Sequence, residues 1–186
     1  FFRELMQVYD ALCAGLIPLL PALTLQYADY AAWQRSWLQG DILANQLQYW
    51  QQQLAGLEPV LPLLTDRPRP AVKGYRGASK RCELSAPLTE SLKQLSQANG
   101  ATLYMTLLAG FKLLLWRYTG EPDIAVGSPV ANRNRAELEQ LLGFFVNTLV
   151  MRTEISGELT FAQLLARVKT MALQAYGHQD VPFEHL

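Results

Sequence analysis

The sequence has little of several features that mark common functional classes. Its 186 residues include only two cysteines and two histidines, and 16 Lys and Arg residues balance 16 Asp and Glu residues. Cys13 and Cys82 make neither a disulfide framework nor a zinc-ligand cluster, so we predict no metal site. Because the net charge is zero, no overall field attracts nucleic acid or an anionic membrane. The sequence also contains no phosphate-binding glycine loop and no GxSxG turn.

A long apolar run is missing as well. The longest apolar stretch, residues 102–115, contains Lys112 and is shorter than the roughly 20 residues that a membrane-spanning helix needs. The chain starts at Phe1 without a signal-peptide pattern. We therefore predict a cytoplasmic protein without a membrane partner, and both ends of the chain look cut from a longer protein.

The first part of the chain reads as helical. Half of all residues are hydrophobic, as in a globular chain with a core. Apolar spacing predicts a helix at residues 1–12, an extended connector through Pro18 and Pro21, and two helices within residues 27–54 that separate near Gly40. Residues 57–78 are rich in proline and glycine and predict a linker. Its basic residues favour a solvated connector over a binding patch: Arg67, Arg69, Lys73 and Arg76.

The second part alternates between strand and helix patterns. The predicted strands are residues 79–84, 123–130 and 144–155, and the predicted helices are residues 87–100, 102–118, 135–141 and 160–176. The helix at 102–118 is apolar nearly all round, so we expect it to be central and mostly buried. A Thr160/Gln163 capping box begins the last helix. This alternation predicts an α/β fold class.

Asn147 interrupts the most apolar of these strands, in the stretch LLGFFVNTLVMR. An unpaired buried amide costs about 1–3 kcal/mol, so the surroundings must supply partners or the protein must use the group. The histidines, His178 and His185, stand near the predicted end of the last helix. A histidine there is more often a helix cap than a catalyst, and neither is assigned as a general base.

Four stretches occur together in one order: YADYAAWQ (residues 27–34), GSPVANRNR (127–135), LLGFFVNTLVMR (141–152) and HQDVPFE (178–184). Together they resemble the condensation domains of nonribosomal peptide synthetases, which have the chloramphenicol acetyltransferase-like fold. The segment DRPRP at residues 66–70 is similar to the segment that joins the two subdomains in that family. The resemblance covers nearly the whole chain.

The resemblance implies an α/β fold, an α+β two-layer sandwich, with two acetyltransferase-like subdomains that form a V around a tunnel. Residues 1–70 would be the C-terminal part of the first subdomain with the joining segment, and residues 71–186 would be the second subdomain, truncated at its C-terminal end. The implied partners are the peptidyl and aminoacyl carrier domains and the adenylation domain of the synthetase. The domain itself binds no cofactor, because phosphopantetheine arrives attached to the carriers.

The implied reaction is attack of a carrier-bound acceptor amine on a carrier-bound donor thioester, which forms a peptide bond. The family's catalytic motif, HHxxxDG, is not present in this sequence. In relatives its second histidine is proposed to position or deprotonate the amine. No catalytic residue is therefore assigned, and we expect these 186 residues alone to be inactive.

The remaining matches imply supporting roles. Asn147 would face the tunnel, where its amide could bind the thioester carbonyl or order the amine, although it could instead satisfy neighbouring backbone. Arg133 would pair with the aspartate of the absent motif, a role for which Arg135 is an alternative. The candidates for the tunnel wall are Gln179, Asp180 and His178.

Two of these stretches also have a plain structural interpretation. HQDVPFE could be a turn that anchors a helix end, with Phe183 as a hydrophobic plug. In YADYAAWQ the side chains of Tyr27, Tyr30 and Trp33 lie three residues apart on one helical face, which favours core packing over substrate contact.

Several alternatives share the fold. An epimerization domain fits GFFVNT and HQDVPFE less well, and a heterocyclization domain differs in the motif region that this sequence lacks. A condensation-like module without catalytic activity, which docks carriers or a tailoring enzyme, is a second possibility. The third is a free-standing acyltransferase that uses coenzyme A.

Overall fold

The computed structural model describes residues 1–68, 70–72, 74–75 and 77–186. In these residues the chain forms α1 (Phe2–Cys13), α2 (Tyr27–Trp37), α3 (Gly40–Leu54), α4 (Ala86–Ala98), α5 (Leu103–Thr119), β1 (Asp123–Val130), β2 (Asn147–Glu154) and α6 (Phe161–Gly177). Short 3₁₀ turns occupy Ala136–Leu138 and Phe183–His185. Three basic residues of the predicted linker lie outside the described residues: Arg69, Lys73 and Arg76.

The chain folds into two compact units that do not follow its order. Unit 1 comprises Phe1–Gln48, Pro129–Thr148 and Asp180–Leu186, and unit 2 comprises Tyr49–Ser128 and Leu149–Gln179. Helix α3 and both strands therefore contribute residues to each unit. The predicted boundary near residue 70 divides the chain in another way and stays a prediction.

Unit 1 is built around an aromatic cluster. Tyr30 of α2 packs on Phe145, with ring centroids 4.7 Å apart, and Leu138 and Leu141 complete the cluster, against which Trp33 also packs. Helix α2 begins with a capping box, in which Gln26 and Asp29 satisfy backbone N–H groups that have no partner within the helix. Helix α1 has no buried residue. The core interpretation of the YADYAAWQ face agrees with this packing.

Unit 2 packs helices against the sheet. Strands β1 and β2 are hydrogen-bonded neighbours, and the N–H of Ile155 donates to the carbonyl of Pro122, which places the start of β1 beside the end of β2. The two strands are therefore antiparallel. In β2 every second residue is buried, and α5 packs against both α4 and α6. The buried positions of α6 follow the predicted apolar stripe: Leu164, Leu165, Val168, Met171, Ala172 and Ala175.

A lysine lies at the centre of unit 2. Lys112 of α5 is completely buried, and its Nζ donates to the carbonyl oxygens of Ile124 and Met151 and to the Oγ1 of Thr153, at 3.2, 2.6 and 2.7 Å. An ammonium group has three donors, so all three are used. Burial lowers the pKa of Lys112 to about 7, whereas the charge of Asp123 acts in the opposite direction.

Several predicted elements differ from the structure. Residues 79–84 are exposed and form no strand, since no described strand lies beside them to complete a ladder. Helix α5 is only half buried, because Leu107, Phe111, Leu114 and Tyr118 line an exposed face. The short helix predicted at residues 135–141 is only a 3₁₀ turn, and β2 begins at Asn147 rather than at Phe144.

The other predicted elements are confirmed. The helix at the start, the connector after it, the break near Gly40, helix α4 and the Thr160/Gln163 capping box of α6 all occur. Helix α4 also has a side-chain cap from Ser85, which was not predicted. Within the described residues, no single helix is long and apolar enough to cross a membrane. Helices α4 and α5 meet those criteria only as a pair, with a bend of 103° between them.

Candidate functional site

A cavity in unit 1, lined by both apolar and polar residues, collects two of the residues that the sequence singled out. Its volume is about 290 Å³. Residues from α2, from the loop after β1, from the start of β2 and from the last segment of the chain line it: Tyr30, Gln34, Asn132, Phe144, Phe145, Val146, Asn147, Asp180, Pro182 and Glu184. We call it the unit 1 cavity. It brings Asn147 and Asp180 to one site although they are far apart in sequence.

Asn147 is the first residue of β2 and is buried, with 9% of its surface exposed. Its Nδ2 donates to the carbonyl of Val181 at 2.7 Å, and its Oδ1 accepts from the backbone N–H groups of Thr148 and Phe183, at 2.9 and 3.0 Å. These backbone partners offset the cost of burying the amide. Asn147 thus fastens the segment after Asp180 to the start of β2.

Gln46 of α3, which the sequence interpretation did not single out, holds the same segment from another side. It is 7% exposed, and its Nε2 donates to Oδ2 of Asp180 at 2.7 Å. Its Oε1 accepts from the backbone N–H groups of Asp180 and Val181, at 3.1 and 3.3 Å. A signal existed in the sequence: position 46 lies three residues after Leu43 and four before Trp50, so a polar side chain stands on the apolar face of a helix.

The electrostatics of the cavity come from its acidic residues. Asp180 and Glu184 line it, and the described residues of its lining include no Lys or Arg. Burial raises the pKa of Tyr30, and the nearby charge of Asp180 raises it further. Asp180 therefore lies close enough to Tyr30 to act on its hydroxyl electrostatically.

Arg133 lies beside the aromatic cluster of unit 1 and is half-buried. Its Nη1 donates to the carbonyl oxygens of Leu138 and Leu141, and its guanidinium stacks 4.0 Å from the centroid of the Phe145 ring. Arg135 is exposed and lies 4.6 Å from the Trp33 ring centroid. Of the two arginines, Arg133 is the one that the structure fixes in place.

His178 and Gln179 belong to unit 2, and neither is among the residues that line the unit 1 cavity. His178 caps α6, where its Nδ1 lies 2.8 Å from the carbonyl of Gln174. Its ring stacks on Tyr49 at 4.0 Å, and its own carbonyl accepts from the indole N–H of Trp50. These contacts agree with the helix-cap interpretation. The tunnel role of both residues stays a prediction.

The groups in the described part of the chain are suited to hydrogen bonding and charge interactions rather than to metal binding. No group of three His, Cys, Asp or Glu side chains that could hold a metal ion occurs in that part of the chain. The unit 1 cavity offers instead two carboxylates, a phenol and three side-chain amides around an aromatic wall. Such a lining can bind and orient a polar group.

Comparison with known proteins identifies the family. The Condensation domain family matches residues 1–186. Linear gramicidin synthase from Brevibacillus parabrevis contains a segment that is 59% identical over 186 residues, which are 100% of this chain and 2% of that protein. The chain thus spans a small part of the curated relatives that it matches.

Solved structures with a similar fold lead to the same family. The X-domain from teicoplanin biosynthesis, solved alone and in complex with OxyB, has a TM-score of 0.89 at 32% identity; the match covers 98% of this chain and 42% of the lone X-domain. A four-domain nonribosomal peptide synthetase bound to AMP and glycine has a TM-score of 0.80 at 26% identity, over 98% of this chain and 14% of that one. These matches confirm the predicted α/β, chloramphenicol acetyltransferase-like fold class. The chain belongs to the condensation domain family of nonribosomal peptide synthetases.

Proposed function

We propose that this chain is part of a condensation domain that joins a carrier-bound donor acyl thioester to a carrier-bound acceptor aminoacyl group. Condensation domains of these synthetases are acyl-transferring enzymes. The family match over the whole chain is the observation that carries the proposal. The unit 1 cavity supports it, because Asn147 and Asp180 place polar groups in its wall and a tunnel wall needs fixed polar groups.

In the proposed reaction the acceptor nitrogen attacks the donor carbonyl carbon. A C–N bond forms, the C–S bond to phosphopantetheine breaks, the amine loses a proton and the released thiolate gains one. The phosphopantetheine arms belong to the carrier domains, and the adenylation domain that loads a carrier is a further partner. The HHxxxDG histidine is absent from these 186 residues, so we propose that they do not catalyse the reaction alone.

The side chains of this chain have supporting roles in the proposal. Asn147 fixes the backbone of Val181 and Phe183 at the cavity wall, and Asp180 contacts the acceptor side of the substrate. Arg133 uses Nη1 for two carbonyl groups, and its other N–H groups suit the carboxylate of the HHxxxDG motif. Gln179 and His178 remain proposed tunnel residues.

The proposed division of the chain follows the family. Residues 1–70 form the end of the first acetyltransferase-like subdomain with the joining segment, and residues 71–186 form most of the second. The described residues between α3 and α4 are mostly exposed and form no helix or strand, which supports a joining segment in this region. The match to 42% of the X-domain chain supports a partial domain.

The test is peptide formation by the intact domain with loaded donor and acceptor carriers. The wild type should form a peptidyl product on the acceptor carrier, detected by mass spectrometry of the peptidyl-carrier thioester. Asn147→Ala should lower the rate about tenfold, as expected for loss of one or two hydrogen bonds that hold the site. Carrier loading should not change. Asn134→Ala, an exposed asparagine in the loop after β1, is the matched control and should react like the wild type.

Two results would redirect the proposal. A normal rate in Asn147→Ala with a marked loss of thermal stability would assign Asn147 to structure alone. A wild-type domain that forms no product but binds a tailoring enzyme would favour a docking module. This second candidate is supported by the similarity to the teicoplanin X-domain, which was solved in complex with OxyB. An epimerised or heterocyclic product would identify another variant of the fold.

A further inference from the structure

The last segment of unit 1, Asp180–Leu186, begins with residues that belong to no regular secondary structure. Residues 180–182 lie outside helices and strands, yet Val181 is completely buried. Buried backbone N–H and C=O groups need partners, and here two side-chain amides supply them. Gln46 accepts from the N–H groups of Asp180 and Val181, while Asn147 pairs with the carbonyl of Val181. We call Gln46 and Asn147 the amide clamp.

Gln46 also contacts a side chain. In addition to its bonds with two backbone N–H groups, its Nε2 donates to the Asp180 carboxylate at 2.7 Å. A hydrogen bond to an ionised group is short and directional. Gln46 therefore fixes the orientation of the carboxylate of Asp180, a residue that lines the unit 1 cavity.

The chemistry of the clamp requires a glutamine at position 46. Its amide offers a donor to the carboxylate and an acceptor to two N–H groups at the same time. A leucine would fill the space but satisfy none of these groups. A glutamate would keep the acceptor and place a second negative charge next to Asp180.

We infer that Gln46 is a positioning residue for peptide-bond formation, which acts by holding the Asp180 carboxylate toward the amine of the acceptor substrate. The inference rests on the proposed function. Its support is the buried three-bond contact of Gln46 with Asp180 and Val181, together with the place of Asp180 in the cavity wall. Gln46 itself is not among the residues that line the cavity, so it acts through Asp180.

The experiment uses the intact domain with its carriers and measures kcat and KM for the loaded acceptor carrier, together with thermal unfolding. Gln46→Leu should lower kcat/KM for the acceptor by roughly ten- to a hundredfold, because a hydrogen bond to a charged group is lost. Gln48→Leu is the matched control: it makes the same change on the same helix at an exposed position and should stay near the wild-type value.

A swap separates positioning from stability. In the double variant Gln46→Glu/Asp180→Asn the donor and acceptor exchange places, so the hydrogen bond between the side chains is kept while the negative charge moves from position 180 to position 46. We expect thermal stability close to that of the wild type and a kcat/KM that stays low. This variant also decides the matter if Gln46→Leu fails to fold.

Two outcomes would overturn the inference alone. One is a double variant that recovers both stability and kcat/KM, since the pair would then only hold the segment. The other is a kcat/KM for Gln46→Leu equal to that of Gln48→Leu. A wild-type domain without peptide formation would instead overturn the proposed function, and the inference would fall with it.

Discussion

Replacing Lys112 by methionine removes an ammonium group from the interior of unit 2 and keeps a side chain of similar length. The wild-type Nζ donates to two carbonyl oxygens and one hydroxyl, and the residue is completely buried. Taking a charge out of water is expensive even when hydrogen bonds replace the lost solvation. The variant therefore separates the cost of the charge from the packing of the side chain.

The lowered pKa of Lys112 determines whether stability rises or falls with pH. Burial lowers the pKa of Lys112 from 10.5 to about 7 in the folded protein. Between these two values the unfolded chain binds more protons than the folded protein, so the free energy of unfolding rises with pH. The slope approaches roughly 1.4 kcal/mol per pH unit, and the full shift corresponds to about 5 kcal/mol. Below about pH 7 both states carry the proton and the contribution of Lys112 stays constant.

Chemical denaturation of the intact domain across about pH 7.5 to about pH 9.5 measures this slope. The wild type should gain roughly 2–3 kcal/mol relative to Lys112→Met over this range, because the variant has no group that titrates there. Lys93→Met, at an exposed lysine of α4, is the control and should parallel the wild type. Parallel curves for Lys112→Met would refute the reasoning, since the three hydrogen bonds would then keep the ammonium charged throughout.

Two further predictions concern close packing and an unsatisfied hydroxyl. Gly143→Ala would place a Cβ 2.8 Å from Cγ of Tyr27 and should cost about 1–3 kcal/mol of stability, whereas Gly157→Ala, with its Cβ 3.7 Å from Trp116, should stay within about 0.5 kcal/mol. Equal unfolding midpoints for the two variants would contradict the packing argument. Tyr49→Phe removes a buried hydroxyl without a hydrogen-bond partner among the described residues, so stability should hold or rise by up to about 1 kcal/mol. Tyr27→Phe, which loses a hydrogen bond to a backbone carbonyl, should cost about 1 kcal/mol. A lower unfolding temperature for Tyr49→Phe than for Tyr27→Phe would contradict the view that the Tyr49 hydroxyl is unsatisfied.

Helices that depend on interactions between residues close in sequence could be predicted from the sequence. The apolar stripe of α6 and its Thr160/Gln163 capping box depend on side chains within a few residues of each other. The Ser85 cap of α4 is equally local, although it was not predicted. Residues 79–84 show the limit of this reasoning, because an alternating pattern predicts a strand but only a neighbouring strand can complete its hydrogen bonds.

Burial is harder to predict when a segment is apolar on every side. The sequence of helix α5 predicts a mostly buried element, yet one of its faces is exposed, with Phe111 and Leu114 about half accessible. Its other face holds Lys112, a charge that sequence patterns place at the surface. Which side of such a helix is covered depends on the elements that pack against it, and these lie far away in the sequence.

The sequence by itself determined the family, the α/β class and the unusual amide at Asn147, because ordered motifs and residue periodicity are properties of the chain. The tertiary structure alone decided what that amide contacts. It also brought Gln46 to Asp180 across 134 positions, a pairing that no local pattern encodes. Hydrogen bonds between distant segments exist only once the chain has folded, so the amide clamp and the cavity that it borders could be recognised only in three dimensions.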